Sequence, residues 1–473
     1  MSTPPSPARR WWTLWTVSLV QFMVTLDITV MNIALPKAQI DLGFTTANRQ
    51  WLITAYALAF GSLMLVGGRL ADLWGRRTAL IIGLVGFGLA SGAGAMVHTF
   101  TELVAARAAQ GACGALMAPS ALALLATSFS DRHERAKAFS LFGAVSGSGA
   151  ALGLIIGAAL TQYATWRWCQ WCNVPVVIVA LLGVMVSTPH DSPSSRRSLD
   201  VVGALLGSSG VFLIVFGFAN AVNAGWANRQ TWLSLAGAVL VVVVFFWRER
   251  HATAPLLTLA TLRQRTRLGA LIALFVTSLG TFVLSLLLAY YLENVLHDSP
   301  MMTGLLFAPL VAALLLSVSV GSARLFGQVG PRPLIPVGLL LIAMGMVLLT
   351  RITTQADYVV NVLPALVLTG LGLGLVVAPA TASAVHLVEN EDAGVASGLV
   401  NTTQQVGVAV GVALLNTIAV SVSRRYWDAH PALTAYQQGV VRGDAVAFWW
   451  TAGFFGAAAV ATFLLLESDF VDG

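Results

Sequence analysis

Charge is scarce in this chain. Of 473 residues only 10% are Asp, Glu, Lys or Arg, against 57% that are hydrophobic. That balance excludes a water-soluble domain and requires a polytopic membrane protein. Lysine is scarcer still: Lys37 and Lys137 stand against 24 arginines. No Gly-x4-Gly-Lys-Ser/Thr phosphate loop exists, which argues against ATP as a partner or energy source within this chain. The three cysteines, Cys113, Cys169 and Cys172, give no disulfide framework. The Cys169-Gln170-Trp171-Cys172 spacing opens an apolar run and lacks a second pair, so it is not read as a metal or redox site. No His-Glu-x-x-His, nucleophile elbow or dinucleotide fingerprint appears in context, and catalysis has no candidate constellation.

Long apolar runs are plentiful. They fall near 12–35, 50–70, 78–97, 101–125, 137–161, 169–187, 199–219, 231–247, 268–292, 302–321, 334–350, 358–380, 394–420 and 445–466. Each approaches the roughly 20 residues that a helix needs to cross a bilayer. In lipid the backbone must satisfy itself within a segment, and these runs are too long and too little alternating for barrel strands. An all-α protein of about fourteen transmembrane helices is expected, with the lipid bilayer as a partner.

The positive charges orient it. With the N-terminus inside, 17 of the 26 Lys and Arg fall in cytoplasmic segments, which places both termini in the cytoplasm and the chain in the cell membrane. The same bias explains the net charge of +6 without nucleic acid, for which no basic patch interleaved with aromatics is present. Residues 1–11 read as a cytoplasmic tail with no cleavable signal, and 467–473 as a second tail. Two polar, basic stretches, 188–198 and 248–267, read as cytoplasmic linkers. They separate a six-helix bundle at 12–187, an inserted helix pair at 199–247 and a second six-helix bundle at 268–466. Equal halves suggest an internal repeat, a common build in secondary transporters. The loop Gly68-Arg-Leu-Ala-Asp-Leu-Trp-Gly75-Arg76-Arg77 and the loop Ala323 to Arg332 keep Arg-Leu, a second Gly and a closing Arg in register.

Asp27 lies in the middle of the first run. A carboxylate at that depth costs roughly 2.5–3.5 kcal/mol on insertion scales and marks an ion or substrate pathway by default. No other acid falls deep within a predicted span. Arg107, Gln110, Gly111 and Gly114, at i, i+3, i+4 and i+7, share one helix face in the fourth. A guanidinium cannot deprotonate there and must face a cavity or a partner. Burial disfavours a charged carboxylate and a nearby Arg favours it, so such a carboxylate responds to changes in its solvation. Asp72, in its Gly-bounded loop with Arg76 and Arg77, can cap a helix N-terminus or pair with an Arg. In the fifth span Gly143, Gly147, Gly149, Gly153 and Gly157 form a close-packing face.

Several of these strings together resemble one family. Gly68–Arg77 is similar to the cytoplasmic-loop signature of the major facilitator superfamily. Asp27 with its neighbours resembles the first-span motif of the fourteen-span drug:proton antiporters within it. Trp51-Leu-Ile-Thr54-Ala-Tyr56, Arg107 to Gly114, Trp166-Arg167-Trp168, Asn173-Val174-Pro175 and Gly398 to Gly411 are similar to that family's second, fourth, sixth and thirteenth spans. The resemblance implies two six-helix bundles plus an inserted pair, Asp27 and Arg107 as the proton-coupling pair, and Gly68, Asp72, Gly75, Arg76 and Arg77 as a conformational latch. It implies no cofactor other than protons as the coupling ion, a small-molecule substrate, and a monomer. Candidate cavity residues are Asn32, Tyr56, Gln110, Tyr290, Glu293, Asn401 and Gln405. Asn401, Gln404 and Gln405 serve equally well as interhelical hydrogen-bonding residues.

The chain departs from the family in two places. The fifth-span antiporter motif has Gly-Pro followed by Gly-Gly, where this sequence has Gly153-Leu154-Ile155-Ile156-Gly157-Ala158. Glu293 stands where the family usually has Gln; beside Tyr290 and Tyr291 it is either a second proton or cation site or a solvated interfacial residue. His386, near the inner end of the twelfth span, reads as interfacial. A proton-coupled exporter of drugs, antibiotics or other lipophilic molecules is expected. A proton symporter for uptake and a non-transporting membrane sensor are the alternatives.

Overall fold

Apolar runs that cannot leave backbone groups unpaired in hydrocarbon become helices. The computed structural model describes residues 7–44, 46–129, 131–187, 200–252, 264–322, 329–385, 393–430 and 435–467, and there is no strand among them. The helices are α1 (Pro7–Leu42), α2 (Thr46–Trp74), α3 (Arg76–Ala95), α4 (Phe100–Ser128), α5 (Arg132–Tyr163), the short α6 (Trp168–Trp171), α7 (Asn173–Ser187), α8 (Val201–Ala224) and α9 (Arg229–His251). They continue as α10 (Arg265–Asn294), α11 (Pro300–Leu306), α12 (Ala308–Leu316), α13 (Pro331–Leu349), α14 (Leu363–Ala384), α15 (Ala393–Gly411), α16 (Thr417–Ala429) and α17 (Ala435–Leu465). Wider π-helical turns at Ser317–Ser322, Tyr358–Val362 and Val412–Asn416 extend or join some of these helices. Thirteen stretches among the described residues are long and apolar enough to cross a membrane. The 32-residue α5 supplies the fourteenth expected span.

Packing divides the chain into two units, Met1–Gln264 with Val385–Gln405, and Arg265–Ala384 with Val406–Gly473. In the first, α1 packs on α5, α4 and α7, α2 on α4 and α8, and α3 on α4 and α7. In the second, α13 packs on α14 and α17, α12 on α14, α16 on α17, and α10 on α14 and α17. Counting spans within each set of six, second with fourth, third with fourth, third with sixth and first with sixth are paired in both, the pattern an internal repeat produces. The matching loop at 323–332 lies largely outside the described residues, as do 188–198 and His386.

Three boundaries differ from the sequence reading. Helix α1 begins at Pro7, inside the tail drawn at 1–11. The linker drawn at 248–267 contains the last turn of α9 and the first turn of α10, because arginines extend a helix beyond its apolar run without breaking it. Residues 393–405 pack with the first unit, whereas the sequence grouping keeps 268–466 together. The inserted pair is held to that same unit: Leu65 of α2, Phe245 of α9 and Val395 of α15 form one buried cluster.

Helix α1 is held along its length. Near its start Arg9 and Thr13 donate to the Ser187 carbonyl at 3.1 Å each, and Arg10 pairs with Glu134 at 2.8 Å. At its far end Asp41 accepts from Trp166 Nε1 at 2.9 Å and from Arg167, which gives the Trp166-Arg167 string a structural task. Between these ends the α5 glycines meet its backbone. A Cβ at Gly149 would lie 3.0 Å from the Phe22 oxygen, one at Gly157 would lie 3.0 Å from the Val30 Cα, and one at Gly153 would collide with the Thr29 hydroxyl. Gly143 lies half-buried earlier on α5, while the surroundings of Gly147 lie outside the described residues.

Overpacking a tight helix contact costs about 1–3 kcal/mol. Gly153→Val is therefore expected to lower the thermal unfolding midpoint of the purified protein. Gly453→Ala, at an exposed site with nothing within 4 Å, is expected to leave it unchanged or raise it. Equal midpoints for the two variants would remove the α1–α5 contact from this account.

Candidate functional site

Asp27 is 1% exposed, and α1, α4, α6 and α7 converge on it. Arg107 of α4 is likewise buried and places Nη1 2.6 Å from Asp27 Oδ2. Asn173, the first residue of α7, donates from Nδ2 to Asp27 Oδ1 at 2.7 Å. Gln110, one turn on from Arg107, accepts from the same Nη1 at 2.9 Å and brings Nε2 to 3.4 Å from Asp27 Oδ1. Behind it, Gln110 Nε2 donates to Ser91 Oγ of α3 at 2.7 Å, and the side-chain amides of Gln110 and Gln170 exchange hydrogen bonds at 3.1 and 3.3 Å.

Burying two ions costs several kcal/mol each, and their attraction offsets this only with good geometry and further hydrogen bonds. Here the carboxylate has three donors, and the guanidinium carbon also sits 4.4 Å from the centre of the Tyr56 ring. Close approach of α2 to α4 makes that possible: a Cβ on Gly111 would strike the Tyr56 carbonyl oxygen. Arg107 Nε, the Tyr56 hydroxyl and Asn173 Oδ1 have no hydrogen-bond partner among the described residues.

The structure brings Asp27, Arg107, Gln110 and Tyr56 together; spacing puts Arg107 and Gln110 on one face, and Tyr56 is a cavity candidate from the resemblance alone. Ser91, Gln170 and Asn173 are additions. Asn173 opens the Asn173-Val174-Pro175 string, from which no role is expected, and Gln170 lies inside the Cys169–Cys172 spacing. Gln170 and Asn173 are three apart at the start of a span, a spacing that puts two amides on one face. Cys169 and Cys172 are free thiols.

The Gly68–Arg77 segment forms a second polar site. Asp72 is buried and accepts from the backbone N–H of Gly394 at 3.0 Å and of Val395 at 3.2 Å, in the first turn of α15. A helix N-terminus exposes unpaired N–H groups and a partial positive charge, so a carboxylate is its natural partner. Gly68 and Gly394 meet so closely that a Cβ on either would strike the other's oxygen. Arg76 holds Nη2 3.8 Å from Asp72 Oδ1 and donates to Thr127, and Arg77 donates to the Met185 carbonyl at 3.2 Å. Gly75, with φ +88°, turns the chain from α2 into α3, a conformation that side chains disfavour. Asp72 therefore makes both contacts expected of it, a cap and an ion pair.

The remaining cavity candidates are dispersed. Asn32 is half-buried on α1, outside the Asp27 network. Asn401 donates to Ser397 O of its own helix at 2.9 Å, and the Gln405 Cβ lies 3.6 Å from where a Cβ on Gly61 would be. Tyr290 and Glu293 belong to the second unit, Glu293 half-buried. Tyr290 and Tyr291 are not an open aromatic pair. Neighbours on a helix point about 100° apart, so Tyr290 is exposed and bonded to Tyr436, whereas Tyr291 is buried and donates to Thr353 O at 2.6 Å. A further acid joins Asp27 inside the spanning helices: Asp444 is buried on α17, which begins nine residues before it and not at the predicted 445.

Residues 17–412 match the family described as the Major Facilitator Superfamily. The chain belongs to the major facilitator superfamily. It is a multi-pass membrane transporter of that superfamily and not an enzyme. Over 470 residues it is 44% identical to the puromycin resistance protein of Streptomyces alboniger, covering 98% of this chain and 92% of that one. It is 35% identical to the probable actinorhodin transporter of Streptomyces coelicolor, covering 88% and 73%. It is also 35% identical to the tetracenomycin C resistance and export protein of Streptomyces glaucescens, covering 87% and 76%. Two solved structures share the major facilitator fold. The human organic anion transporter MFSD10 has a TM-score of 0.65 at 16% identity, covering 98% of this chain and 100% of that one. The proton:xylose symporter XylE has a TM-score of 0.67 at 14% identity, covering 98% and 97%.

Within this superfamily member the Asp27–Arg107 pair can be probed by a double-mutant cycle. Removing one partner of a buried pair costs about 3–5 kcal/mol, because the other charge is left uncompensated. Arg107→Ala is expected to lower the thermal midpoint markedly, and the Asp27→Asn/Arg107→Ala double variant to recover part of the loss. Strict additivity of the two single effects in the unfolding assay would rule out the coupling.

Proposed function

We propose that this transporter exports antibiotics or similar lipophilic small molecules in exchange for protons, by alternating access. The observation that carries this reading is the sealed Asp27–Arg107 contact, a carboxyl group paired with a guanidinium inside a helix bundle. Support for export comes from the relatives, whose names record resistance to or transport of puromycin, actinorhodin and tetracenomycin C.

In the proposed cycle Asp27 accepts a proton from the outside. The neutral acid then no longer neutralises Arg107. Tyr56 and Gln110 are placed to hold the guanidinium while the contact loosens. Asn173 and Gln110 present amides, which can serve either protonation state because an amide both donates and accepts. Release of the proton inside restores the pair. The Asp72 contact to the α15 N-terminus acts as the latch: it holds α15 to α2 in the described arrangement and breaks when the inner side opens. Substrate enters a cavity reached in one state and leaves it in the other. Both termini lie in the cytoplasm in this scheme, as the excess of inner arginines requires. One inward proton gains about 2.3 kcal/mol per 100 mV, which sustains roughly a fifty-fold gradient of neutral substrate per proton.

Asp27→Asn is expected to reduce gradient-driven accumulation of puromycin in everted vesicles to the background of vesicles without the protein, with membrane expression retained and the protein still folded at the assay temperature although its unfolding midpoint falls. Undiminished efflux would sink the proposal, and alkalinisation of the medium outside right-side-out cells on adding substrate, accompanied by accumulation, would favour uptake. Asp72→Asn weakens a charge-assisted cap and is expected to slow efflux at saturating substrate while leaving puromycin binding affinity unchanged. An unchanged maximal rate would exclude Asp72 from the latch.

A further inference from the structure

We propose that Asp444 is a second proton-binding site, carried by the second unit and separate from the Asp27 network. It lies about two and a half turns into α17, is 3% exposed, and its Oδ2 has no hydrogen-bond partner among the described residues. Its position follows from the packing of α10 on α17. Gly269 faces Leu465 and Leu466, and Gly280 faces Thr451 and Phe455. The two helices are therefore antiparallel, and Asp444 falls level with Leu287 to Tyr291.

The charged side chains on the helices packed around it are directed elsewhere. On its own helix, the Arg442 guanidinium lies 4.5 Å over the Tyr426 ring. Arg332, on α13, lies over the Phe463 ring near the other end of α17. Arg424, Arg425 and Asp428 of α16 and Arg351, just after α13 and level with Asp444, are exposed, Arg265 and Arg267 lie at the opposite end of α10, and Glu293 of α10 is half-buried. An unpartnered carboxylate in such a place is neutralised by taking up a proton, because the charged form has neither water nor a cation to stabilise it. A permanently structural residue there has no need of a carboxyl: an amide or an aliphatic side chain of similar size avoids the cost.

Proton-carrying hydroxyls lie toward the start of the same helix. Asp444, Val440 and Tyr436 form a stripe at i, i−4 and i−8 on α17, leading toward its first turn. Tyr436 shares a hydroxyl contact with Tyr290, and both rings are exposed. Each tyrosine hydroxyl is donor and acceptor at once, so the pair offers proton-carrying groups at the exposed end of this stripe, with the apolar Val440 between them and the buried acid. The step is a proton transfer onto a carboxylate oxygen and back; no other bond changes. It does not rest on the role proposed for Asp27.

Infrared spectroscopy of the full-length protein in lipid nanodiscs tests this. The wild type is expected to show the C=O stretch of a buried protonated carboxyl that shifts on exchange into D2O and disappears on raising pH. Asp444→Asn is expected to abolish that band, and Asp27→Asn to leave it in place. Should Asp444→Asn fail to fold, Asp444→Glu is expected to move the band and not remove it. A band unchanged in the Asp444 variant overturns the proposal. So does a band that neither exchanges nor titrates while the protein stays folded, since the carboxyl is then a sealed structural group. The efflux of Asp27→Asn is read separately, so failure of the Asp27 coupling scheme and failure of this inference give different results.

Discussion

A carboxylate and a guanidinium buried together inside a helix bundle set the terms for the first unit. Neither ion has water, so each depends on the other and on groups that must be within hydrogen-bond distance. That requirement reaches outward from Asp27 and Arg107. Asn173 has to begin α7 at the level of Asp27, Gln110 has to follow Arg107 by one turn, and Tyr56 has to lie beneath the guanidinium. A sub-ångström geometry of this kind needs rigid supports. The fastening of α1 to Ser187 near one end and to Trp166 and Arg167 at the other, with glycines of α5 against its middle, provides them.

The same electrostatic logic recurs at smaller scale in the Gly68–Arg77 segment. There the cation is not a side chain alone but the start of α15, whose unpaired N–H groups receive Asp72. Such a cap depends on the two backbones meeting at Gly68 and Gly394, and the proposed latch requires it to form and break as a unit. A contact with two discrete states is what a transport cycle needs from a latch. Asp444 shows the opposite case, an acid enclosed without a cation, which leaves protonation as its means of neutralisation.

The departures from the family pattern acquire a physical reading against this background. The fifth span keeps glycines at 149, 153 and 157, and these are the positions that touch α1 beside Asp27. The proline of the antiporter motif is replaced by Leu154, so close packing survives without that residue's interruption of the hydrogen-bond ladder.

Composition and run length alone decided that the chain is a bundle of about fourteen helices in a membrane, because hydrocarbon permits a spanning backbone few other forms. The Asp27, Arg107 and Gln110 cluster was legible for a related reason: ionic groups at membrane depth are expensive, and helical spacing shows which of them share a face. Tertiary structure alone decided the rest. Ser91, Gln170 and Asn173 are ordinary polar residues near helix ends, and nothing in their local pattern says that Asn173 meets Asp27 or that Ser91 and Gln170 meet Gln110. The burial of Asp444 was hidden because its helix starts well before its apolar run. The separation of Tyr290 from Tyr291, and the packing of residues 393–405 with the first unit, likewise depend on contacts far apart in the chain. Local sequence determines period and depth; partners are determined by which faces meet.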